Sequence, residues 1–142
     1  MKRNPYKKVI LMPKADIGSG RKISTKDFEK IQLRVGTIAK VSLHPKNKKN
    51  YVIIVDTAAA DEDIQVVAEL AESHKMAELL GKQVVVVCNL SPIDVQGVES
   101  QGMLLMSHAG KKPVLIGPNS KCPEGAKVGG IMNGEFHHHE RN

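Results

Sequence analysis

Aromatic side chains are nearly missing from this chain: no Trp, two Tyr and two Phe in 142 residues, or 3%. That scarcity argues against a surface of several stacked aromatics, the means by which an open RNA-recognition sheet holds unpaired bases. Cysteine is just as sparse. Cys88 and Cys122 make neither a disulfide framework nor a metal set, and Cys88, inside an apolar run, reads as a small core residue. No window of about 18 apolar residues occurs, so no membrane-spanning helix is expected. The basic N-terminus is not followed by an apolar segment, so no signal peptide is expected and the cytoplasm is the expected location. At this length one domain with an arm is expected.

A catalytic constellation is also lacking. His44, His74 and His108 are scattered, with no metal-ligand spacing. Ser100 has no nucleophile-elbow motif around it, and no Gly-rich phosphate loop precedes a helix. Asp61–Glu62–Asp63 reads as a solvated turn, and His137–His138–His139 as a frayed tail. The expectation is a protein that is not an enzyme and that holds neither metal nor cofactor.

What is present in excess is positive charge, and it is unevenly placed. The net charge is +6. Residues 1–22 hold seven basic side chains against Asp16 alone; the other 120 residues hold 14 of each sign. A basic arm on a neutral body suits a polyanion such as RNA, and equally a solubilising tail.

After the arm, Ser24–Thr25–Lys26–Asp27 can cap a short helical turn. Ile31–Leu43 alternates, with odd positions apolar and Ile38 the exception, and predicts a long half-buried strand bent at Gly36. Further strands are predicted over Tyr51–Thr57, Ile64–Leu70, Gln83–Leu90 and Gly102–Ser107, with Val114–Ile116 after a tight turn. A helix is predicted over Glu72–Leu80, with Met76, Leu79 and Leu80 on one side. Ile131–Met132 can add a last short strand. Within residues 1–22, Val9–Met12 can dock as an edge strand. Five main strands with one short helix between the third and fourth is the order of an OB-fold, a five-stranded Greek-key barrel, here with a loop-rich C-terminal extension from Gly117. The expected division is an arm over 1–22, the barrel domain over 23–136 and a tail over 137–142.

The stretch Asn89–Leu105, NLSPIDVQGVESQGMLL, joins two apolar runs and reads as an irregular polar crossing in the core. Such a crossing needs partners for its backbone and amide groups. Asn-Leu-x-Pro, then Gly, then Glu-Ser-Gln-Gly-Met-Leu-Leu resembles the tRNA-binding domain found free-standing and at the C-terminus of methionyl-tRNA synthetases. Asp27-Phe28, Leu33-Arg34-Val35-Gly36 and Pro123-Glu124-Gly125-Ala126-Lys127-Val128-Gly129 extend the resemblance over 23–130. It implies an OB-fold that grips structured RNA. It further implies a homodimer, with 117–132 as the interface candidate, acting in trans and assisting a methionyl-tRNA synthetase. A related branch resembles dimeric peptide-binding export chaperones; a third reading is an adaptor docking on a synthetase.

The RNA-contact candidates are Arg34, Lys46, Lys48, Lys49, Tyr51, Asn89, Ser100, Gln101 and Met103. Lys46, Lys48 and Lys49 fall in the turn between the first two strands, at a barrel rim, where they would neutralise phosphates. Arg34 would add a phosphate or stacking contact, or else a surface salt bridge. Tyr51 would stack on a base, or else fill the barrel end. Asn89, Ser100 and Gln101 would read a base edge or 2′-hydroxyl, or else hold the loop. The resemblance adds Met103. One departure stands out: the family carries a Lys and an Arg where this chain has Asp94 and Gln96, and its Ser-Gly after the third strand is replaced by Ala68-Glu69. An acid in place of a base favours the chaperone reading; the arm and the lysine turn favour RNA.

Overall fold

The structure, a computed structural model, describes residues 18, 20–58, 63–108, 110–132 and 135–137. Residues 1–17 of the 1–22 arm with their Val9–Met12 run, the Asp61–Glu62 pair and the tail beyond 137 lie outside the described residues.

A short helix, α1 (Thr25–Glu29), opens the described fold. Its N-cap is Ser24, whose Oγ accepts from the Asp27 N–H at 3.0 Å, as its hydroxyl at that position predicts. Then comes β1 (Leu33–Leu43), followed by β2 (Tyr51–Asp56), β3 (Ile64–Ala68), α2 (Met76–Leu79) and β4 (Gln83–Val87). Short strands complete the chain: β5 (Ile93–Val95), β6 (Val98–Ser100), β7 (Met103–Leu104), β8 (Met106–Ser107), β9 (Val114–Leu115), β10 (Lys127–Val128), β11 (Gly130–Met132) and β12 (Glu135–His137). The main sheet runs β3-β2-β1-β4-β7, and β10 adds to the start of β1. All of these pairings are antiparallel.

β1 organises the barrel because its 11 residues are long enough to serve two neighbours. Its first half pairs with β4, from Leu33↔Val87 to Thr37↔Gln83; its second half pairs with β2, from Thr37↔Asp56 to Leu43↔Tyr51. The change of register falls between Ile38 and Lys40. A bulge inserts one residue there and reverses which parity points inward. That corrects two expectations at once. Ile38, the apparent exception to the alternation, is a core residue at 1% exposure. Gly36 is not the bend: a Cβ there would lie 2.5 Å from Val55 Cγ1, so its missing side chain serves close strand packing.

The core is aliphatic. Ile38, Ile53, Val55, Val66, Leu70, Leu79, Val84, Val86 and Leu104 cluster inside, with Tyr51 as the buried aromatic. Each such aliphatic side chain contributes about 1.5–3 kcal/mol on burial, so a barrel of this size needs few rings. Helix α2 is shorter than the Glu72–Leu80 prediction. Glu78 Oε1 caps its start by accepting from the Lys75 N–H at 2.9 Å. Only Leu79 of its apolar set is buried; Met76 and Leu80 are exposed.

The Asn89–Leu105 stretch departs most from expectation. It does not cross the core. β5 and β6 form a hairpin, Ile93↔Ser100 to Val95↔Val98, most of which is solvent-exposed. Its two-residue turn has positive φ at both Gln96 (49°) and Gly97 (91°), the backbone a type I′ turn demands. Pairing within the hairpin satisfies its own N–H and C=O groups, so no core burial is required to do so.

The barrel closes where β3 meets residues 99–101, and it closes largely through side chains. The Gln101 N–H donates to Gln65 O at 2.7 Å. In return the Gln65 N–H donates to Gln101 Oε1 at 2.9 Å, and the Val67 N–H donates to Ser100 Oγ at 3.0 Å. An amide and a hydroxyl thus take the place of strand carbonyls on an edge that would otherwise be unpaired.

Candidate nucleic-acid interface

The loop between β1 and β2 carries the densest basic run of the body, and Lys46, Lys48 and Lys49 are all exposed. The two ion pairs seen among the described residues, Lys30–Asp27 and Lys112–Glu78, do not involve them. Their ammonium groups are therefore open to an anion.

The loop is held from beneath by His44, at 2% exposure. Its Nδ1 accepts from the Lys46 N–H (2.9 Å) and the Asn47 N–H (3.1 Å). Its Nε2 lies 2.7 Å from the Val95 carbonyl oxygen. A carbonyl only accepts, so the ring proton sits on Nε2 and Nδ1 is bare. The His44 N–H donates to Asn50 O, and the Asn50 N–H to Asn47 O. Asn47 completes the link: its Oδ1 accepts from the Lys49 N–H and its Nδ2 donates to Gln96 Oε1 at 2.9 Å. The lysine loop is thus docked on the hairpin tip, and Lys46 Nζ lies 3.8 Å from where a Gly97 Cβ would stand. Two stretches that are separate in the sequence form one surface.

The other candidates fall in different places. Arg34 is not on a free polar face; it is buried at 6% exposure and its Nη1 donates to Gly125 O at 2.7 Å. Tyr51, at 5% exposure, fills the barrel end and donates its hydroxyl to His74 O at 2.7 Å. Asn89 staples the entry to β1, with Oδ1 accepting from the Gln32 N–H (2.7 Å) and Nδ2 donating to Lys30 O (2.6 Å). Ser100 and Gln101 close the barrel as described. Met103 is half exposed, at 52%. Asp94 and Gln96 are not idle replacements: Asp94 Oδ2 accepts from the Gly97 N–H at 3.1 Å, pinning the turn, and Gln96 receives Asn47. Asp94 also stands opposite Glu99 across the hairpin, so the hairpin carries an acidic pair.

Three ionisations are shifted among the described residues. Burial pushes the Cys88 thiol up, against the pull of Arg34. Burial, with help from Lys112, lowers His74 below the usual 6.5. A backbone hydrogen bond from Lys75 and a side-chain one from Lys112 lower Glu78. No group of three or more His, Cys, Asp or Glu side chains suited to a metal occurs among the described residues.

Residues 33–127 match the family described as "Putative tRNA binding domain". The chain belongs to the tRNA-binding domain family. Its relatives include the methionine–tRNA ligases of Pyrococcus abyssi (41% identical over 126 residues, 89% of this chain and 17% of the ligase) and Archaeoglobus fulgidus (38% over 124 residues, 83% and 18%). The chain thus spans less than a fifth of the length of these curated relatives. Among solved structures it is similar to a MetRS-related protein from Pyrococcus horikoshii (TM-score 0.69, 34% identical, covering 77% of this chain and 99% of that one). It is similar also to the CsaA chaperone protein of Picrophilus torridus (TM-score 0.69, 27% identical, 75% and 99%). The matched region is a non-catalytic binding domain with the OB-like fold of this family.

His44 and Asn47 were not among the sequence candidates. On sequence alone His44 is weighed only as a metal ligand; a histidine followed within six residues by two Asn and three Lys is the signal that points to a loop anchor.

Proposed function

We propose that this domain grips tRNA through the composite rim made by the Lys46–Lys49 loop and the β5–β6 hairpin. The observation that carries it is the loop itself: three exposed lysines on a backbone already ordered by His44 and Asn47, with no carboxylate among the described residues ion-paired to them. Ordered cations gain more from phosphate than mobile ones, because less freedom is lost on binding. In this reading the basic arm over 1–22 adds contacts, two copies make one RNA surface through the 117–132 region, and the domain works in the cytoplasm beside a methionyl-tRNA synthetase. The ligase relatives support the synthetase link.

A titration of unfractionated tRNA in gel shifts at two salt concentrations tests it, with the full chain and a version lacking residues 1–22. Binding that weakens steeply with salt is the expected result. The truncation apportions it between arm and barrel. No shift at low salt with either version refutes the proposal.

A second reading is favoured by one observation. Leu90, Ile93 and Met103 are exposed at 41%, 63% and 52% on or beside the hairpin, and the CsaA chaperone shares the fold at 27% identity. An apolar rim of this kind suits an unfolded peptide, and a domain that leaves tRNA unshifted but retards aggregation of a denatured client would have that role.

A further inference from the structure

We infer that His44 is the positioning residue of the RNA grip, coupling the lysine loop to the β5–β6 hairpin so that the two act as one preformed surface. The inference rests on the tRNA reading for its affinity arm and stands independently of it for its structural arm. The imidazole is buried and all of its polar capacity is used. Nδ1 takes two loop N–H groups at 2.9 and 3.1 Å, and Nε2–H reaches the Val95 carbonyl at 2.7 Å. The first pair shapes the loop backbone that carries Lys46. The second fastens that loop to the strand leading into the Gln96–Gly97 tip. The Asn47–Gln96 hydrogen bond at 2.9 Å is exposed to water and is worth little alone; the buried contact is the one that holds. A neutral imidazole sets an acceptor toward the loop and a donor toward the hairpin on opposite sides of one rigid ring, a spacing that the amide of Asn or Gln does not reproduce.

Two substitutions separate the halves. His44→Asn keeps an acceptor near the Nδ1 position and loses the reach to Val95. His44→Gln keeps a donor near the Nε2 position and loses the loop acceptor. Each phosphate contact is worth roughly five- to eightfold in affinity at 0.1 M salt, and about 0.7–0.9 in the slope of log K against log salt. His44→Asn is expected to weaken tRNA binding by about that one contact or more and to make the slope shallower by about 1. His44→Gln is expected to keep more of both. Val84→Ala, a core truncation of a fully buried residue, lowers stability but is expected to leave affinity and slope unchanged below its unfolding transition. If His44→Asn binds tRNA with wild-type affinity and slope, the inference is wrong. The structural arm uses no RNA. Nitrogen-15 spectra of the imidazole should show the proton on Nε2, and the Lys46 and Asn47 amides should exchange slowly in the wild type and fast in His44→Ala. A proton on Nδ1, or unchanged exchange in the variant, overturns the coupling. Failure of the wild type to bind tRNA, with these spectra as expected, would fall on the ligand and not on His44.

Discussion

Ser100→Ala separates a ligand-reading hydroxyl from a barrel-closing one. In the structure Ser100 is 5% exposed, its Oγ accepts from the Val67 N–H at 3.0 Å, and it donates weakly to Gly102 O at 3.4 Å. Removing the oxygen orphans the Val67 amide on β3. A buried donor left without a partner costs about 1–3 kcal/mol. Val67 is only half buried, so water recovers part of this, and a loss of about 1–2 kcal/mol is expected. For a chain of this length that lowers Tm by about 3–7 °C. Urea unfolding should show a lower midpoint with an unchanged slope, since the same surface is exposed. The Gln65–Gln101 pairing should hold the edge well enough for tRNA affinity, measured well below the transition, to stay within about twofold. Wild-type stability combined with lost tRNA binding would refute the reasoning and return Ser100 to the ligand.

Other perturbations test separate parts of the structure. Asp94→Asn keeps an oxygen for the Gly97 N–H and removes one negative charge from the hairpin; a repulsion of about 0.5 kcal/mol at roughly 8 Å in water predicts about twofold tighter tRNA binding at low salt. Because salt screens that repulsion, gel shifts at high salt should show no difference, and equal affinity at low salt as well would mean that Asp94 lies away from the bound RNA. Gly102→Ala would place a Cβ 2.7 Å from the Val87 carbonyl, forcing β7 from β4 and costing about 1–3 kcal/mol by denaturant titration; a neutral result would show that the strands separate freely. His74 has its folded pKa lowered below 6.5 by burial, so as pH falls through 6.5 the unfolded chain binds a proton that the folded chain resists. Stability should therefore decline below that value and be regained above it. His74→Gln should flatten the unfolding midpoint between pH 5 and 7, and an unaltered profile would remove His74 as the source.

The barrel's strand order and its long first strand were legible in the residues alone, because hydrophobic period and turn residues are local signals that a small aliphatic core must obey. So was the place of the body's free positive charge, since Lys46, Lys48 and Lys49 have no acid near them in the chain. Tertiary structure decided the rest. Arg34, Tyr51, Asn89, Ser100 and Gln101 carry polar groups whose sequence context suits a ligand and a backbone carbonyl or amide equally well. Only the fold shows that Gly125, His74, Lys30, Gln32, Val67 and Gln65 stand within reach of them. The bulge at Ala39 was invisible because a one-residue slip is set by pairing with β2 and not by any residue's propensity. His44 was illegible for the same reason: its second partner, Val95, is 51 residues away, and a lone histidine names no partner until the chain brings one to it.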